Sequence, residues 1–165
     1  MQIRRLNHAV LYVRDASRSA SFYQDVLGFQ PVIVDDAGAY VFMRASGSDN
    51  HHDLAFFSIG EQAGGPTVPR DVGLYHVAWE VGSVAELLEA RERLEAAGAL
   101  VGASDHAVNK SLYARDPDGL EFEVMYLVPA GEWGDEEHQA IVRPLDLAAE
   151  QRREAERQAA GRAAR

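Results

Sequence analysis

The 165-residue sequence contains no cysteine. This absence excludes both a disulfide framework and a thiolate metal site, so any bound metal would need histidine and carboxylate ligands. Such ligands suit metals such as iron, manganese, nickel or zinc. A chain of this length has the usual size of one domain and can bury enough surface to fold without a covalent or metal staple.

Long apolar runs and positive charge are also scarce. No stretch approaches the ~20 apolar residues of a membrane span, and the N-terminus lacks an apolar run of signal-peptide length. We therefore expect a cytoplasmic protein with no membrane partner. The 16 basic and 26 acidic residues give a formal net charge of -10, and Lys110 is the sole lysine. That negative charge opposes binding to a phosphate backbone, so nucleic acid is not an expected partner.

An internal repeat organises the sequence. The segment Leu6 to Val10 (LNHAV) returns 68 residues later as Leu74 to Ala78 (LYHVA). Each copy lies in a run rich in Val, Leu, Tyr and Trp, which predicts strands over Ile3 to Val13 and Leu74 to Val81. Such similarity at a fixed offset indicates two copies of one structural unit.

The segments after these two strands also correspond. Apolar residues at helical spacing predict helices over Ala16 to Leu27 and Val84 to Ala97. Each predicted helix follows a capping residue and stops at a glycine. These residues are Asp15 and Gly28 in the first copy and Ser83 and Gly98 in the second, where Ser83 and Glu86 fit a capping box.

Three short strand-like segments follow each glycine. They are 29–34, 39–43 and 53–59 in the first copy and 100–107, 111–114 and 121–127 in the second. The sequence therefore predicts an α+β domain over residues 1–130 made of two βαβββ modules, about 3–60 and 72–128, joined by a connector over Gly60 to Asp71. The remaining residues, 131–165, predict a charged helical extension with a thin apolar face.

Two modules related by a pseudo-two-fold axis would bring equivalent positions to one cleft formed by their paired sheets. His8 and His76 are equivalent in this way, and Glu123 follows His76 by 47 residues in the last predicted strand. Glu121 lies on the same strand face as Glu123, so strand alternation leaves both carboxylates as candidates. The place that corresponds to Glu123 in the first module falls near Ala55.

Four motifs in order resemble the vicinal oxygen chelate superfamily over Ile3 to Val128. That superfamily includes glyoxalase I, bleomycin-resistance and fosfomycin-resistance proteins, and extradiol ring-cleavage dioxygenases. The motifs are most similar to the catechol 2,3-dioxygenase-like branch. They are 6–10 (LNHAV), 50–56 (NHHDLAF), 75–78 (YHVA) and 111–119 (SLYARDPDG) running on to Glu123.

This resemblance implies a metal site. It selects His8, His76 and Glu123 as ligands of one divalent metal, with Glu121 as the alternative carboxylate. Two histidines and one carboxylate on one face of a metal are typical of non-haem Fe(II) oxygenases. Fe(II) is therefore the expected metal, with Mn(II), Ni(II) or Zn(II) as alternatives.

The resemblance also implies residues that act on the substrate. In the extradiol enzymes a histidine at the position of His52 serves as acid and base, and His51 is the alternative because adjacent strand residues face opposite sides. Tyr113 and His106 correspond to further residues that hydrogen-bond the substrate. The expected partners are a catechol-like aromatic molecule and O2, in a homodimeric enzyme.

Two other functions remain open at this point. A lyase or isomerase of the same fold, such as glyoxalase I or an epimerase, would carry a glutamate or glutamine in the last strand of the first half. The sequence has neither between His51 and Gly60. A non-catalytic binding or drug-sequestration protein is the second alternative, and a complete set of metal ligands argues against it.

Overall fold

A computed structural model of the chain describes residues 1–66 and 72–163. These residues form two compact units. The amino-terminal unit comprises Met1–Tyr75 and Arg115–Leu120, and the carboxyl-terminal unit comprises His76–Ala114 and Glu121–Arg165. The predicted connector over Gly60 to Asp71 includes residues 67–71, which lie outside the described part of the chain.

The amino-terminal unit contains one helix and one four-stranded sheet. The elements follow the order β1 (Ala9–Val13), α1 (Ala16–Leu27), β2 (Gln30–Val34), β3 (Tyr40–Arg44) and β4 (Leu54–Ser58). In the sheet the strands are ordered β1-β4-β3-β2. Strand β1 is parallel to β4, whereas β3 is antiparallel to both of its neighbours.

The carboxyl-terminal unit repeats this arrangement and adds a tail. Its elements are β5 (Val77–Val81), α2 (Val84–Ala96), β6 (Leu100–Asp105), β7 (Asn109–Arg115), β8 (Glu121–Leu127) and α3 (Leu147–Ala163). The sheet order is β5-β8-β7-β6, with β5 parallel to β8. The predicted pair of βαβββ modules with a C-terminal helix is therefore confirmed. Among the described residues, no helix has the length and apolar character that a membrane crossing requires.

The parallel strand pairs have the same register in both units. Ala9 lies opposite Leu54 in the first pair, and Val77 lies opposite Phe122 in the second. Ala9 and Val77 are 68 residues apart, and so are Leu54 and Phe122. This distance equals the offset of the sequence repeat. The same register places Ala55 of β4 and Glu123 of β8 at equivalent positions.

Local capping explains where the two repeated helices begin. The Asp15 side chain accepts a hydrogen bond from the Arg18 amide at 2.9 Å, and Ser83 Oγ accepts one from the Glu86 amide at 3.1 Å. Glu86 Oε2 in turn accepts from the Gly82 amide at 2.6 Å, one residue before the position expected for a capping box. At the end of α1, Gly28 has φ 73°, a left-handed conformation that glycine adopts without steric cost.

Each helix packs its apolar face on its own sheet. In the amino-terminal unit Tyr23 is 2% exposed, and its ring contacts Phe29 and Phe56 at centroid distances of 5.8 and 5.2 Å. In the carboxyl-terminal unit, Leu87 and Leu94 of α2 are fully buried. Burial of a leucine side chain contributes about 1.5–3 kcal/mol, so the helix-on-sheet core stabilises each unit.

Several predicted strand boundaries are wrong. Strands β1 and β5 begin at Ala9 and Val77, so His8 and His76 directly precede the strands instead of lying inside them. A strand continues only while its neighbour offers hydrogen-bonding groups, and the pairing of β1 with β4 starts at Ala9 opposite Leu54. The pair His51 and His52 also precedes a strand, so strand alternation does not apply to it.

The turn over residues 115–120 is held by buried carboxylates. Asp118 accepts hydrogen bonds from the Arg14 amide and guanidinium at 2.7 and 2.8 Å and from Arg18 at 2.6 Å. Asp116 Oδ1 accepts from the amides of Asp118 and Leu120, while Oδ2 has no hydrogen-bond partner in the described part of the chain. Burial raises the pKa of Asp116 to about 6, despite these backbone hydrogen bonds.

This raised pKa predicts a specific pH dependence of stability. The folded chain keeps the Asp116 proton up to a pH of about 6, whereas the unfolded chain releases it near the ordinary aspartate pKa of 3.8. The contribution of Asp116 to the free energy of unfolding is therefore greatest below pH 3.8 and is lost as the pH rises towards 6. A shift of this size corresponds to roughly 2 to 3 kcal/mol.

The substitution Asp116→Asn should remove this dependence, because an amide keeps the Oδ1 acceptor and carries no charge. Urea unfolding between pH 4 and 7 should give equal or greater stability for the variant at pH 7. The matched control is Asp36→Asn, at an exposed aspartate in a turn. An Asp116→Asn protein with the same pH profile as the parent would show that Asp116 does not titrate in this way.

Candidate metal centre

His8 stands just ahead of β1 with one ring nitrogen already engaged. Its Nδ1 lies 2.8 Å from Asn7 Oδ1, which can only accept, so Nδ1 carries the proton and donates. The Nε2 lone pair of the neutral ring is then available to a metal. A hydrogen bond of this kind orients the imidazole and fixes its tautomer, as partners of metal-binding histidines do.

Asn50 connects the His8 segment to the loop before β4. Its side-chain amide donates to Asn7 O at 2.9 Å and to Asp53 Oδ1 at 2.7 Å, and its oxygen accepts from Asn7 Nδ2 at 3.2 Å. Arg5 Nη2 also donates to that oxygen, at 2.5 Å. Asn50 is only 9% exposed, and its side chain joins the two segments through hydrogen bonds that are partly or fully buried.

Asp53 completes this buried network. Its carboxylate accepts hydrogen bonds from Ser48 Oγ at 2.8 Å and from the Ala45 amide at 2.9 Å, in addition to the one from Asn50. Burial opposes ionisation of Asp53, but the hydrogen bonds from Ser48, Ala45 and Asn50 outweigh it and lower the pKa. An ionised Asp53 therefore fixes the loop that carries the two adjacent histidines.

His52 lies directly beside His8. The two ring centroids are 4.5 Å apart. The ring of His52 also packs against that of Phe42 in a T-shaped arrangement, with the centroids 5.0 Å apart. His51 Nδ1 lies 3.1 Å from His52 Nδ1. Burial lowers the pKa of His52, and the neighbouring His8 and His51 lower it further. These surroundings favour the neutral ring of His52, which can accept a proton.

In the carboxyl-terminal unit, His76 and Glu123 face each other. His76 Nε2 lies 3.1 Å from Glu123 Oε2, because the register of β5 and β8 sets Glu123 opposite Ala78. Glu123 is 7% exposed, and Asn109 Nδ2 donates to its other oxygen at 3.4 Å. At this distance the imidazole nitrogen and the carboxylate oxygen face each other. Such a pair is suited to ligate one divalent metal.

Tyr113 and His106 adjoin this pair. The ring of Tyr113, on β7, lies 5.8 Å from that of His76, and its hydroxyl is 2.8 Å from His106 Nε2. His106 follows β6, and its Nδ1 lies 2.6 Å from the carbonyl oxygen of Ile141 in the C-terminal extension. The two residues thus form a hydrogen-bonded pair next to His76.

The predicted site residues are therefore distributed over both units. His8, His51 and His52 adjoin one another in the amino-terminal unit, and the carboxyl-terminal unit holds the remaining four, which are His76, His106, Tyr113 and Glu123. No group of three or more His, Asp or Glu side chains able to hold a metal occurs among residues 1–66 and 72–163. The joint binding of one metal by His8, His76 and Glu123 stays a prediction.

Sequence reasoning missed the residues that orient these side chains. Asn50 stands inside one of the recognised motifs, and its position beside two histidines was the available signal. Asn7 likewise stands inside a recognised motif, directly before His8, whereas Asn109 lies in no motif. Ile141 acts through its backbone carbonyl, which every residue carries, so no feature of the sequence could have identified it.

Comparison with known proteins agrees with this architecture. A catechol-2,3-dioxygenase from Bacillus subtilis is 34% identical over 130 residues, which are 78% of this chain and 43% of the relative. A manganese-dependent 2,3-dihydroxybiphenyl 1,2-dioxygenase from Geobacillus genomosp. 3 is 26% identical over 129 residues, covering 76% of this chain and 37% of the relative. Both relatives are enzymes, and the chain spans less than half of the length of each.

A solved structure shares the fold. The glyoxylase/bleomycin resistance protein/dioxygenase domain from Frankia sp. EAN1pec has a TM-score of 0.64 and 21% sequence identity, covering 77% of this chain and all of that domain. The family model that describes the Glyoxalase/Bleomycin resistance protein/Dioxygenase superfamily matches residues 5–124. That range covers most of both repeated modules and includes His8, His76 and Glu123, and the chain belongs to this superfamily.

Proposed function

We propose that the protein is an extradiol-type dioxygenase that cleaves the ring of a catechol-like aromatic molecule with O2. The observation that carries this proposal is the position of His52. Its ring lies 4.5 Å from that of His8, a proposed metal ligand, and has a lowered pKa. A neutral histidine beside the metal can take up a proton from a bound phenol, which ring cleavage requires.

The proposed ligands of the metal are His8, His76 and Glu123. These ligands fit a divalent metal for two reasons. His76 Nε2 and Glu123 Oε2 converge at 3.1 Å, and the hydrogen bond from His8 Nδ1 to Asn7 leaves His8 Nε2 available to the metal. Fe(II) is our first choice, with Mn(II), Ni(II) or Zn(II) as alternatives. The metal would supply a positive charge that holds both catechol oxygens and stabilises negative charge developing on them.

His52 would act as base and then as acid. Cleavage of the carbon–carbon bond beside the two hydroxyl groups consumes one O2, whose oxygen atoms both enter the product, an open-chain semialdehyde acid. In this reaction His52 would accept a phenolic proton and later return it to an oxygen atom as the O–O bond of O2 breaks. Phe42, whose ring lies 5.0 Å from that of His52, would shield one side of the imidazole from water.

Tyr113 and His106 would contact the substrate from the other module. The Tyr113 hydroxyl and His106 Nε2 are 2.8 Å apart and form a hydrogen bond, and the ring of Tyr113 lies next to that of His76. A hydroxyl at this position can hydrogen-bond a substrate oxygen. We therefore assign positioning of the substrate oxygen to Tyr113, with His106 acting through it.

A lyase or isomerase that moves a proton on a carbon next to a chelated oxygen is the second candidate within the family. In the carboxyl-terminal unit the carboxylate comes from Glu123, whereas the equivalent position in the first unit is Ala55, which is fully buried. A buried alanine cannot contribute a fourth ligand or a proton-transferring carboxylate. This argues for the dioxygenase. A binding or drug-sequestration protein would need neither the ligand set nor His52.

The substitution His52→Phe tests the proposed function directly. Phenylalanine preserves ring packing against Phe42 but cannot exchange a proton. Oxygen uptake with a panel of substituted catechols should fall by ~10²-fold or more, the usual contribution of a positioned proton acceptor. Metal content should stay at the wild-type level, because His52 is not a proposed ligand.

The matched control is His51→Phe, at the exposed neighbour, which should retain turnover. Equal turnover in the His52→Phe protein and the parent would contradict the assignment to His52. Loss of activity only in His51→Phe would transfer the role to His51. If both variants kept wild-type turnover, or if the parent consumed no oxygen with any catechol, proton transfer on a chelated carbonyl compound would be the better proposal.

We also propose that the protein is a homodimer. Closed two-fold assemblies are the commonest among soluble oligomers, and β1 presents Val10 and Tyr12 with 52% and 73% exposure. Light scattering at micromolar concentration should give twice the chain mass of 18.1 kDa. A monomeric mass would refute this proposal.

A further inference from the structure

The C-terminal extension contacts the loop that carries His106. Asp105 and Arg143 form an antiparallel bridge, in which each backbone amide donates to the carbonyl of the other residue at 2.8 and 2.9 Å. Next to this bridge, the carbonyl of Ile141 lies 2.6 Å from His106 Nδ1. Residues 141–143 thus run alongside residues 105–106 and present a backbone acceptor to the imidazole.

The loop itself has a strained conformation that is held by side chains. Ala107 has φ 66°, the one left-handed residue other than glycine among the described residues. A β-carbon makes this conformation costly, by about 1–2 kcal/mol. Asp105 Oδ1 accepts from the Ala107 amide at 2.7 Å, and Lys110 Nζ donates to Asp105 Oδ1 at 2.5 Å and to Ala107 O at 3.1 Å.

Lys110 also connects this loop to helix α3. Its side chain is 4% exposed, and Nζ lies 3.7 Å from Glu150 Oε1, whose side chain is 5% exposed. A buried ammonium group needs compensating carboxylates, and here Asp105 and Glu150 supply them from different segments. The only lysine of the chain therefore fixes the His106 loop between β7 and the C-terminal helix.

The backbone carbonyl determines the tautomer of His106. A carbonyl oxygen has no proton to donate, so at 2.6 Å the facing Nδ1 must carry one. In the neutral imidazole Nε2 is then an acceptor, and its partner at 2.8 Å, the Tyr113 hydroxyl, must donate. A phenol has one proton, so towards any third group the Tyr113 oxygen can act only as an acceptor.

We propose that the C-terminal extension is a positioning element of the active site. The Ile141 carbonyl holds neutral His106 as the Nδ1–H tautomer, and His106 thereby turns Tyr113 into a hydrogen-bond acceptor towards the bound ligand. The ligand group that meets Tyr113 is therefore a proton donor, such as a hydroxyl. Identification of that group with a catechol hydroxyl rests on the proposed function, whereas the tautomer does not.

The tautomer can be measured on the full-length chain. In ¹⁵N-labelled protein, both metal-free and loaded with diamagnetic Zn(II), the ring signals of His106 are assigned by their loss in His106→Gln. At a pH where the ring is neutral, the one-bond proton coupling should appear at Nδ1 and not at Nε2. A proton on Nε2 of the neutral wild-type ring would overturn the proposal, whether or not any variant folds.

Two substitutions at one position test the role of the extension. Arg143→Pro removes the amide that donates to Asp105 O, which should loosen the segment next to Ile141. Arg143→Ala removes the side-chain pair with Glu136 but keeps the backbone bridge, and it is the matched control. We expect a mixture of His106 tautomers and roughly tenfold lower kcat only in Arg143→Pro, with metal content unchanged, because Tyr113 loses its fixed orientation.

The outcomes separate this inference from the proposed function. A folded Arg143→Pro protein with the wild-type tautomer would overturn the role of the extension. An equal tautomer change in Arg143→Ala would do the same, because the backbone bridge is intact there. A fixed Nδ1–H tautomer in a protein that cleaves no catechol would support the inference and reject the dioxygenase. Ring cleavage by a protein whose neutral His106 carries its proton on Nε2 would support the dioxygenase and reject the inference.

Discussion

The parallel pairing of the first and last strands of each module is the constraint on which the candidate site depends. It joins segments about 45 residues apart in sequence, such as Ala9 with Leu54 and Val77 with Phe122. Because the register is the same in both units, equivalent residues occupy equivalent places at the start of each strand pair. In the carboxyl-terminal unit that register sets His76 within 3.1 Å of Glu123. A shift of one residue would turn the carboxylate to the other face of the sheet and separate the two donors.

The two modules have diverged from this common arrangement in complementary ways. The second keeps a carboxylate at Glu123, which is buried and faced by Asn109. The first has the apolar Ala55 at the same register and instead provides His52, which lies against His8. Its polar groups are held by Asn50 and an ionised Asp53 in the loop before β4, where hydrogen bonds compensate for burial. In the proposed site, Glu123 of one unit would serve as a metal ligand, and His52 of the other unit would transfer protons.

Much of this arrangement could be predicted because it rests on local signals or on the repeat. Helix caps such as Asp15 and Ser83 depend on neighbouring residues, and the 68-residue offset relates His8 to His76 without knowledge of the fold. The features that the sequence does not predict depend on contacts between distant segments. Strand ends depend on where the partner strand begins, so the sequence wrongly predicts His8 and His76 inside strands that start after them. The effect of Ile141 on His106 is carried by a backbone carbonyl, which leaves no trace in the pattern of side chains.

We propose that ligands from both repeats bind one shared metal. Anaerobic loading with Fe(II) or Mn(II), followed by removal of free metal and elemental analysis, tests it most directly. We predict one equivalent per chain for the parent and for Glu121→Ala, which alters the neighbouring carboxylate on β8. Retained metal should fall well below one equivalent in each of His8→Ala, His76→Ala and Glu123→Ala, because loss of a ligand weakens binding strongly. A full equivalent retained by His8→Ala or His76→Ala would contradict a site built from both repeats.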